Sequence, residues 1–290
     1  MTYTTTIIIP AFNEEASIGL VLDKLLENLP TSVAVIVVND FSSDQTPYIL
    51  SLYPTVKVVN HSFNRGYGAS LCTGVMASDT EYVIWMDADC QHRSSDVLRL
   101  NDALIRNDYD LCVGTRSAES HVPITRMLGK LTLGLFIKIF APCRFSDINS
   151  GLRGFRRETL LPYLPLMPKR FGASTFTTFC FTQAAYNCAE VPITVDKRIG
   201  SSTVNQFKDG LRTLKLIVNV SLLYKPLRYF LIPGFLLFVI GTVYGIVSAF
   251  TQGLGIPTLA VILIISGIQI SLYGLITDQI CSLRRESFYK

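Results

Sequence analysis

Two long apolar runs near the C-terminus constrain this chain more than any other feature. Phe230 to Phe250 reads FLIPGFLLFVIGTVYGIVSAF, and Pro257 to Thr277 reads PTLAVILIISGIQISLYGLIT. Neither contains Asp, Glu, Lys, Arg or His. Each is about 20 residues long, the length a helix needs to cross the hydrocarbon core of a bilayer. The connection TQGLGI is short, so the pair reads as a helical hairpin. The competing reading is a pair of buried helices in a soluble domain. Lys225 and Arg228 precede the first run, and Arg284, Arg285 and Lys290 follow the second. The connecting loop has no Lys or Arg. The positive-inside asymmetry then predicts that both termini and the whole N-terminal part are cytoplasmic. In a bacterial source that would be the inner or plasma membrane. Ile7 to Ile9 is too short an apolar run for a signal peptide, and Pro10 ends it.

The region before the hairpin alternates two periodicities. TTTIIIP is a short β-rich run, VAVIVVND (33–40) is a continuous β-branched run, and VKVVN (56–60) is another. YVIWM (82–86) and DLCVGTR (110–116) have the same character. Between them, Glu14 to Asn28 has helical spacing, with Ile18, Val21, Leu22, Leu25 and Leu26 on one face. Further helices are expected from Tyr67 and from about Ser94 to Arg106. Strand–helix alternation with continuous β-branched strands predicts a parallel, doubly wound α/β sheet. Ligands of such sheets bind at the carboxyl ends of the strands. Pro10, Asp40 and Asp87 all fall at such ends.

Two basic stretches follow. Ile124 to Phe140 mixes Arg126, Lys130 and Lys138 with Leu, Ile and Phe, and reads equally as an interfacial or a core helix. Val204 to Leu223 carries Phe207, Leu211, Leu214 and Val218 at helical spacing beside Lys208, Arg212 and Lys215. Directly before an apolar span, that pattern predicts a juxtamembrane helix on an anionic leaflet. The chain thus divides into an α/β part at 1–203, an amphipathic helix at 204–228, two transmembrane helices at 229–280 and a tail at 281–290. The seven cysteines form no CxxC pair and are expected to be reduced thiols. His61 and His121 are expected to be structural or exposed, and His92 to support the neighbouring acids. GTVYG (241–245) has GxxxG spacing, suited to packing within the hairpin or between copies.

The chemistry concentrates in MDADCQH (86–92), where a hydrophobic strand stops at Asp87 and Asp89. Hard divalent ions take oxygen ligands and keep partners from substrate phosphates. An acid pair at a strand end therefore suggests a metal such as Mg²⁺ bridging to a nucleotide diphosphate. An ordinary acidic turn has the same spacing. NRGYGAS (64–70) opens a helix, where glycines let backbone N–H groups approach phosphate. The same pattern also fits a plain strand–helix turn.

Taken together, PAFNEE, NDFSSDQT, NRGYGAS, MDADCQH, VGTR, DINSGLRGFRR and KRIGSSTVNQFKDGLRTL resemble the family 2 glycosyltransferases with the GT-A fold. The similarity is to their polyprenyl-phosphate hexosyltransferases, the dolichyl-phosphate mannose synthase kind, and it covers almost all of residues 5–215 in order. The resemblance implies a doubly wound mixed sheet. It implies that Pro10, Phe12 and Glu14 cradle the base and ribose, that Asp40 helps read the base, and that Asp87 also faces the nucleotide. Asp87, Asp89 and Gln91 would hold Mg²⁺ or Mn²⁺ against the diphosphate. Asp89 and Asp147 would be catalytic, Asp147 lying near the transferred sugar. Arg116, Arg126, Arg198 and Ser201 would meet the carrier lipid's phosphate. The partners implied are a nucleotide diphosphate sugar, a polyprenyl phosphate lipid and the membrane, not nucleic acid, and a homo-oligomer is compatible.

Asn39 and Phe41 depart from the family's usual acid and small residue, Arg93-Ser94 from its prolines, and Thr203 from a frequent lysine. The implied reaction is chemically economical. A polyprenyl monophosphate carries close to two negative charges near neutral pH, because its second pKa is about 6. It is already a nucleophile and needs no dedicated base, unlike a sugar hydroxyl. In-line attack would invert an α-linked donor. UDP-glucose is the first expectation for the donor, then GDP-mannose or another UDP-sugar. Two alternatives remain: a processive polysaccharide synthase, and an inactive membrane-anchored nucleotide-sugar-binding protein. The first usually has a QxxRW motif, whereas the single tryptophan here is Trp85, inside a strand.

Overall fold

The computed structural model describes residues 3–116, 145–197, 206–253 and 255–286, without the side chains of 206–211 and 252. The chain forms two compact units, Met1–Ile217 and Val218–Lys290.

The first unit is built on a seven-stranded sheet. In chain order it contains β1 (Thr5–Ala11), α1 (Ile18–Leu26), β2 (Val33–Asn39), α2 (Thr46–Ser51), β3 (Lys57–Asn60) and α3 (Tyr67–Ala77). It continues with β4 (Tyr82–Trp85), α4 (Ser94–Arg106), β5 (Leu111–Arg116), β6 (Arg153–Arg156), α5 (Arg157–Leu160), α6 (Ala173–Gln183) and β7 (Cys188–Ile193). The strand order is β3-β2-β1-β4-β6-β5-β7. β1 pairs in parallel with β2 and β4, and β5 in parallel with β7. β6 is antiparallel to both β4 and β5, with Trp85 opposite Arg153 and Cys112 opposite Gly154. The sheet is therefore mixed, as the family resemblance implies, not wholly parallel as the alternation alone predicts. β6 has no alternation to reveal it: it is the four residues RGFR, with a fully buried arginine.

All seven residues of β1 are buried. Ile7 and Ile9 join Ile18, Val21, Leu22 and Leu25 of α1 and Val97, Leu100 and Leu104 of α4 in one core. Ile8, pointing the other way, meets Gly74 of α3. A central strand covered on both faces must be apolar throughout, which is why these runs show no alternation. Pro10 lacks an N–H, yet lies in a central strand. It is tolerated because β4 ends at Trp85, opposite Ile8, before it reaches Pro10. α1 starts at Ile18, not Glu14. The N–H groups of Glu14 and Glu15 are drawn across to Thr46 Oγ1 and Asp44 Oδ2 in the next loop, at 2.9 and 3.1 Å. Those bonds hold residues 14–17 in turns.

The second unit holds most of the apolar runs. α7 (Gln206–Tyr224) leads into α8 (Pro226–Gln252) and α9 (Thr258–Glu286). α8 and α9 form the predicted hairpin, and both are long and apolar enough to cross a membrane. A Cβ on Gly267 would stand 2.6 Å from the carbonyl oxygen of Gly234, and one on Gly241 would stand 2.8 Å from Leu263 Cβ. Gly245 likewise faces Ala260. The GxxxG glycines thus serve close approach of the two helix backbones within one hairpin. Arg285 donates to the carbonyl of Leu223 at 2.6 Å, closing the base of this unit.

Candidate functional site

The carboxyl ends of β1, β2, β4 and β5 carry the polar residues singled out in the sequence. After β1 and β2 the two loops are laced together. Asn13, in the left-handed region at φ 55°, accepts the Ser43 N–H at 2.8 Å, while its own N–H donates to Ser42 Oγ at 3.0 Å. Glu15 accepts the Gln45 N–H at 2.9 Å. Glu14 is half-buried and accepts the Ser17 hydroxyl at 2.6 Å. Phe12 and Phe41 stand out of this rim, 44% and 55% exposed, Phe41 at φ 64°.

Asp40, expected to help read the base, makes its side-chain contacts within the fold. It is buried, and both carboxylate oxygens are committed inward. Oδ1 accepts the Arg65 N–H at 2.8 Å and lies 2.7 Å from His61 Nδ1, while Oδ2 accepts the Gly66 N–H at 2.8 Å. His61 is the structural histidine expected, spanning Asp40 and Thr73 Oγ1. The expectation for NRGYGAS is corrected as well. The N–H groups of Gly68 and Ala69 donate to the carbonyls of Arg170 and Lys169 at 3.1 and 2.8 Å. A Cβ on Gly68 would stand 1.9 Å from the Pro168 carbonyl oxygen. The glycines admit a crossing backbone, and that backbone uses the donors a phosphate would need.

The acid pair lies where β4 ends. Asp87 accepts the Tyr67 hydroxyl at 2.8 Å on Oδ1. Its Oδ2 lies 3.9 Å from His92 Nε2. Gly151 is pressed against the same carboxylate. Asp89 is buried and accepts the Gln91 N–H at 3.2 Å. Burial and the adjacent Asp87 push the Tyr67 phenol well above its ordinary value, so it stays a donor. Gln91 is held from the far side: its amide donates to the Asp196 carbonyl at 3.2 Å, and Asp196 N–H returns a bond to the Gln91 carbonyl at 3.0 Å. Arg93 grips the Asp196 carboxylate through Nε and a terminal nitrogen at 2.9 and 2.5 Å. His92 Nδ1 is buried with no hydrogen-bond partner among the described residues.

This donor set fits a hard divalent cation. Carboxylate and amide oxygens suit Mg²⁺ and Mn²⁺. Among the described residues no three His, Cys, Asp or Glu side chains gather to form a closed cage. Asp87 and Asp89 would supply part of a coordination sphere and leave the rest to phosphate oxygens and water.

Sequence reasoning overlooked Tyr67 and Arg153. Arg153 is fully buried, and its guanidinium bonds neutral oxygens: the carbonyls of Ser150 and Ser174 at 2.6 Å each, and the hydroxyls of Thr177 and Thr178 at 3.0 Å each. Burial lowers its pKa to about 10, against the opposing pull of Tyr67, Asp147 and Asp87. The available signal was a charged residue inside a short apolar motif, since a buried arginine is rare unless it is satisfied. Arg116, ending β5, meets Asp147 with Nε to Oδ2 at 3.0 Å. Arg126, Arg198 and Ser201 lie outside the described residues, as do His121, Cys143 and the 124–140 stretch. Among the described residues, Cys72, Cys90, Cys112, Cys180, Cys188 and Cys281 form no disulfide.

Comparison with known proteins bears on the family and the fold. Residues 6–165 match the model of glycosyl transferase family 2, and residues 225–283 match the GtrB C-terminal hairpin. The chain is 28% identical to the dolichyl-phosphate hexose transferase of Haloferax volcanii, over 74% of this chain and 93% of that one. It is also 28% identical to the undecaprenyl-phosphate mannosyltransferase of Micrococcus luteus, over 68% and 86%. The fold is shared with glucosyl-3-phosphoglycerate synthase of Mycobacterium tuberculosis, crystallised with Mn²⁺, UDP-glucose and phosphoglyceric acid. The TM-score is 0.62 at 18% identity, over 76% of this chain and 80% of that one. With the mixed sheet, the acid pair at the end of β4 and the apolar hairpin, these matches place the chain in glycosyl transferase family 2, with the GT-A fold.

Proposed function

We propose that this chain transfers a hexose from a nucleotide diphosphate sugar to a membrane polyprenyl phosphate, with inversion, giving a polyprenyl-phosphate sugar. The observation that carries the reading is Asp87-Ala88-Asp89 at the carboxyl end of β4, in a family 2 chain that ends in an apolar helical hairpin. The names of the Haloferax volcanii and Micrococcus luteus relatives support a lipid phosphate acceptor. The hairpin would anchor the chain in the bilayer that holds such a lipid, with the catalytic part and both termini cytoplasmic.

Asp87 and Asp89, with Gln91 beside them, would hold Mg²⁺ or Mn²⁺, which supplies charge neutralisation to the leaving nucleoside diphosphate. The Mn²⁺ in the Mycobacterium tuberculosis structure supports that choice. Tyr67 and Gly151 orient Asp87. The rim of Phe12, Asn13 and Glu14, laced to residues 42–46, would receive the base and ribose. Asp40 acts from beneath, holding Arg65 and Gly66. Asp147 would contact the transferred sugar, and Arg116, with Arg126, Arg198 and Ser201, the acceptor phosphate. Arginine suits that role through charge-assisted contacts with phosphate oxygens. The acceptor oxygen attacks the anomeric carbon as the bond to the diphosphate breaks. UDP-glucose is the donor proposed first.

The test is transfer by the purified full chain in detergent. Radiolabelled UDP-glucose, GDP-mannose and other UDP-sugars are each incubated with undecaprenyl phosphate and Mg²⁺ or Mn²⁺. Label should move into the lipid extract with one donor. Nucleotide binding without lipid product for any donor would refute the proposal.

A further inference from the structure

Asp147 is paired with one guanidinium, Arg116, and its charge acts on a second, Arg153. Arg116 reaches it from the open side, with side-chain exposures of 34% for the arginine and 20% for the acid. Arg153 is fully buried, and its guanidinium is tied to Ser150, Ser174, Thr177 and Thr178. Asp147 and Asp87 are the carboxylates whose charge Arg153 feels. The Arg116 contact is made side-on, through Nε alone. A partly exposed, side-on pair of that kind is weak. A phosphate dianion carries about twice the charge of a carboxylate and three acceptor oxygens, and takes arginine in bidentate fashion.

We propose that Arg116 is an exchangeable cation: Asp147 holds it in the acceptor-free protein, and an acceptor monophosphate takes it over, freeing Asp147 into the site. The inference rests on Arg116 being an acceptor-phosphate residue, as proposed above. It adds a specificity device. A lipid alcohol or a phosphodiester brings too little charge to displace Asp147, whereas a monophosphate dianion brings enough. It also couples the two substrates. Asp147 and the acceptor compete for one guanidinium, so the carboxylate lowers acceptor affinity, and the acceptor releases the carboxylate for the sugar.

The test uses the purified full chain in detergent, titrated calorimetrically with farnesyl phosphate in the absence of donor. Asp147→Asn should bind the phosphate about five-fold more tightly than wild type. Arg116→Gln should bind more weakly, and the double variant should match Arg116→Gln, because without donor the proposed effect of Asp147 on the phosphate runs through that arginine. In transfer assays Asp147→Asn should lower both acceptor KM and kcat, a split that a merely structural aspartate would not produce. Asp147→Ser provides a second neutral variant, and melting followed by Trp85 fluorescence establishes that each is folded. If wild type binds and transfers while both neutral variants keep wild-type affinity, the exchange is wrong and the acceptor reading stands. If wild type binds no farnesyl phosphate, the acceptor reading falls and the exchange falls with it.

Discussion

Gly151 and Asp87 are in contact across the β4–β6 end of the sheet: a Cβ built on Gly151 would stand 2.0 Å from Asp87 Oδ2. No side chain fits there without moving the carboxylate. Gly151→Ala should therefore displace Asp87 and break its bond with Tyr67. Misplacement of a reacting or liganding group by about 1 Å costs on the order of 100-fold in rate. Transfer assays should show that loss, while circular dichroism stays that of wild type. Full activity in Gly151→Ala would mean that Asp87 does not need this orientation.

Asp89 should be the more sensitive of the acid pair to removal of charge, being buried with its carboxylate braced on the Gln91 N–H. Activity should vanish in EDTA and return with Mg²⁺ or Mn²⁺. Asp89→Ala should keep less than about 1% of wild-type rate at saturating metal, by the same positional argument. Full activity of that variant with metal added would remove Asp89 from the metal site.

Asp40 supports the Arg65–Gly66 backbone from within, so Asp40→Asn should act through stability and loop placement. Exchanging one acceptor oxygen for an amide leaves a buried N–H facing a donor, at about 1–3 kcal/mol. The melting temperature should fall, and KM should rise by a similar factor for UDP- and GDP-sugars. A change in base preference with unchanged melting would instead mean direct contact with the base.

Arg153→Met should destabilise the first unit strongly. It leaves the carbonyls of Ser150 and Ser174 without their donors. At about 1–3 kcal/mol for each buried unsatisfied group, and about 2–4 °C per kcal/mol in a unit of this size, melting should drop by roughly 4 °C or more. Trp85 fluorescence reports this directly, because Trp85 lies opposite Arg153 in the β4–β6 register.

Acid should loosen the brace behind Gln91. The hydrogen bonds from Arg93 are the largest cause lowering the Asp196 pKa below its ordinary 3.8, against partial burial. The folded chain thus refuses a proton that the unfolded chain accepts. The stabilisation is fully present above pH 3.8 and is lost as pH falls through the lower folded value. Comparing melting of wild type and Asp196→Asn should show a gap that is constant at neutral pH and closes below that point.

Much of this organisation is legible in the residues alone. The apolar hairpin follows from composition and length, because a bilayer demands about 20 apolar residues per helix. β1, β2 and β4 follow from their unbroken apolar runs, and the acids at their ends from the sharp change of character at Pro10, Asp40 and Asp87. Those features are local, so a linear pattern carries them. Tertiary structure alone decided what each polar group faces. Asp40 turns inward because Arg65 and Gly66 arrive from 25 and 26 positions away. The glycines of NRGYGAS serve a backbone crossing at Pro168–Arg170. β6 inserts antiparallel beside β4, setting Arg153 opposite Trp85, and Gly151 just before it lies against Asp87. Long-range pairing of that kind leaves no periodicity in the sequence, since its energy comes from partners that become neighbours only when the sheet closes.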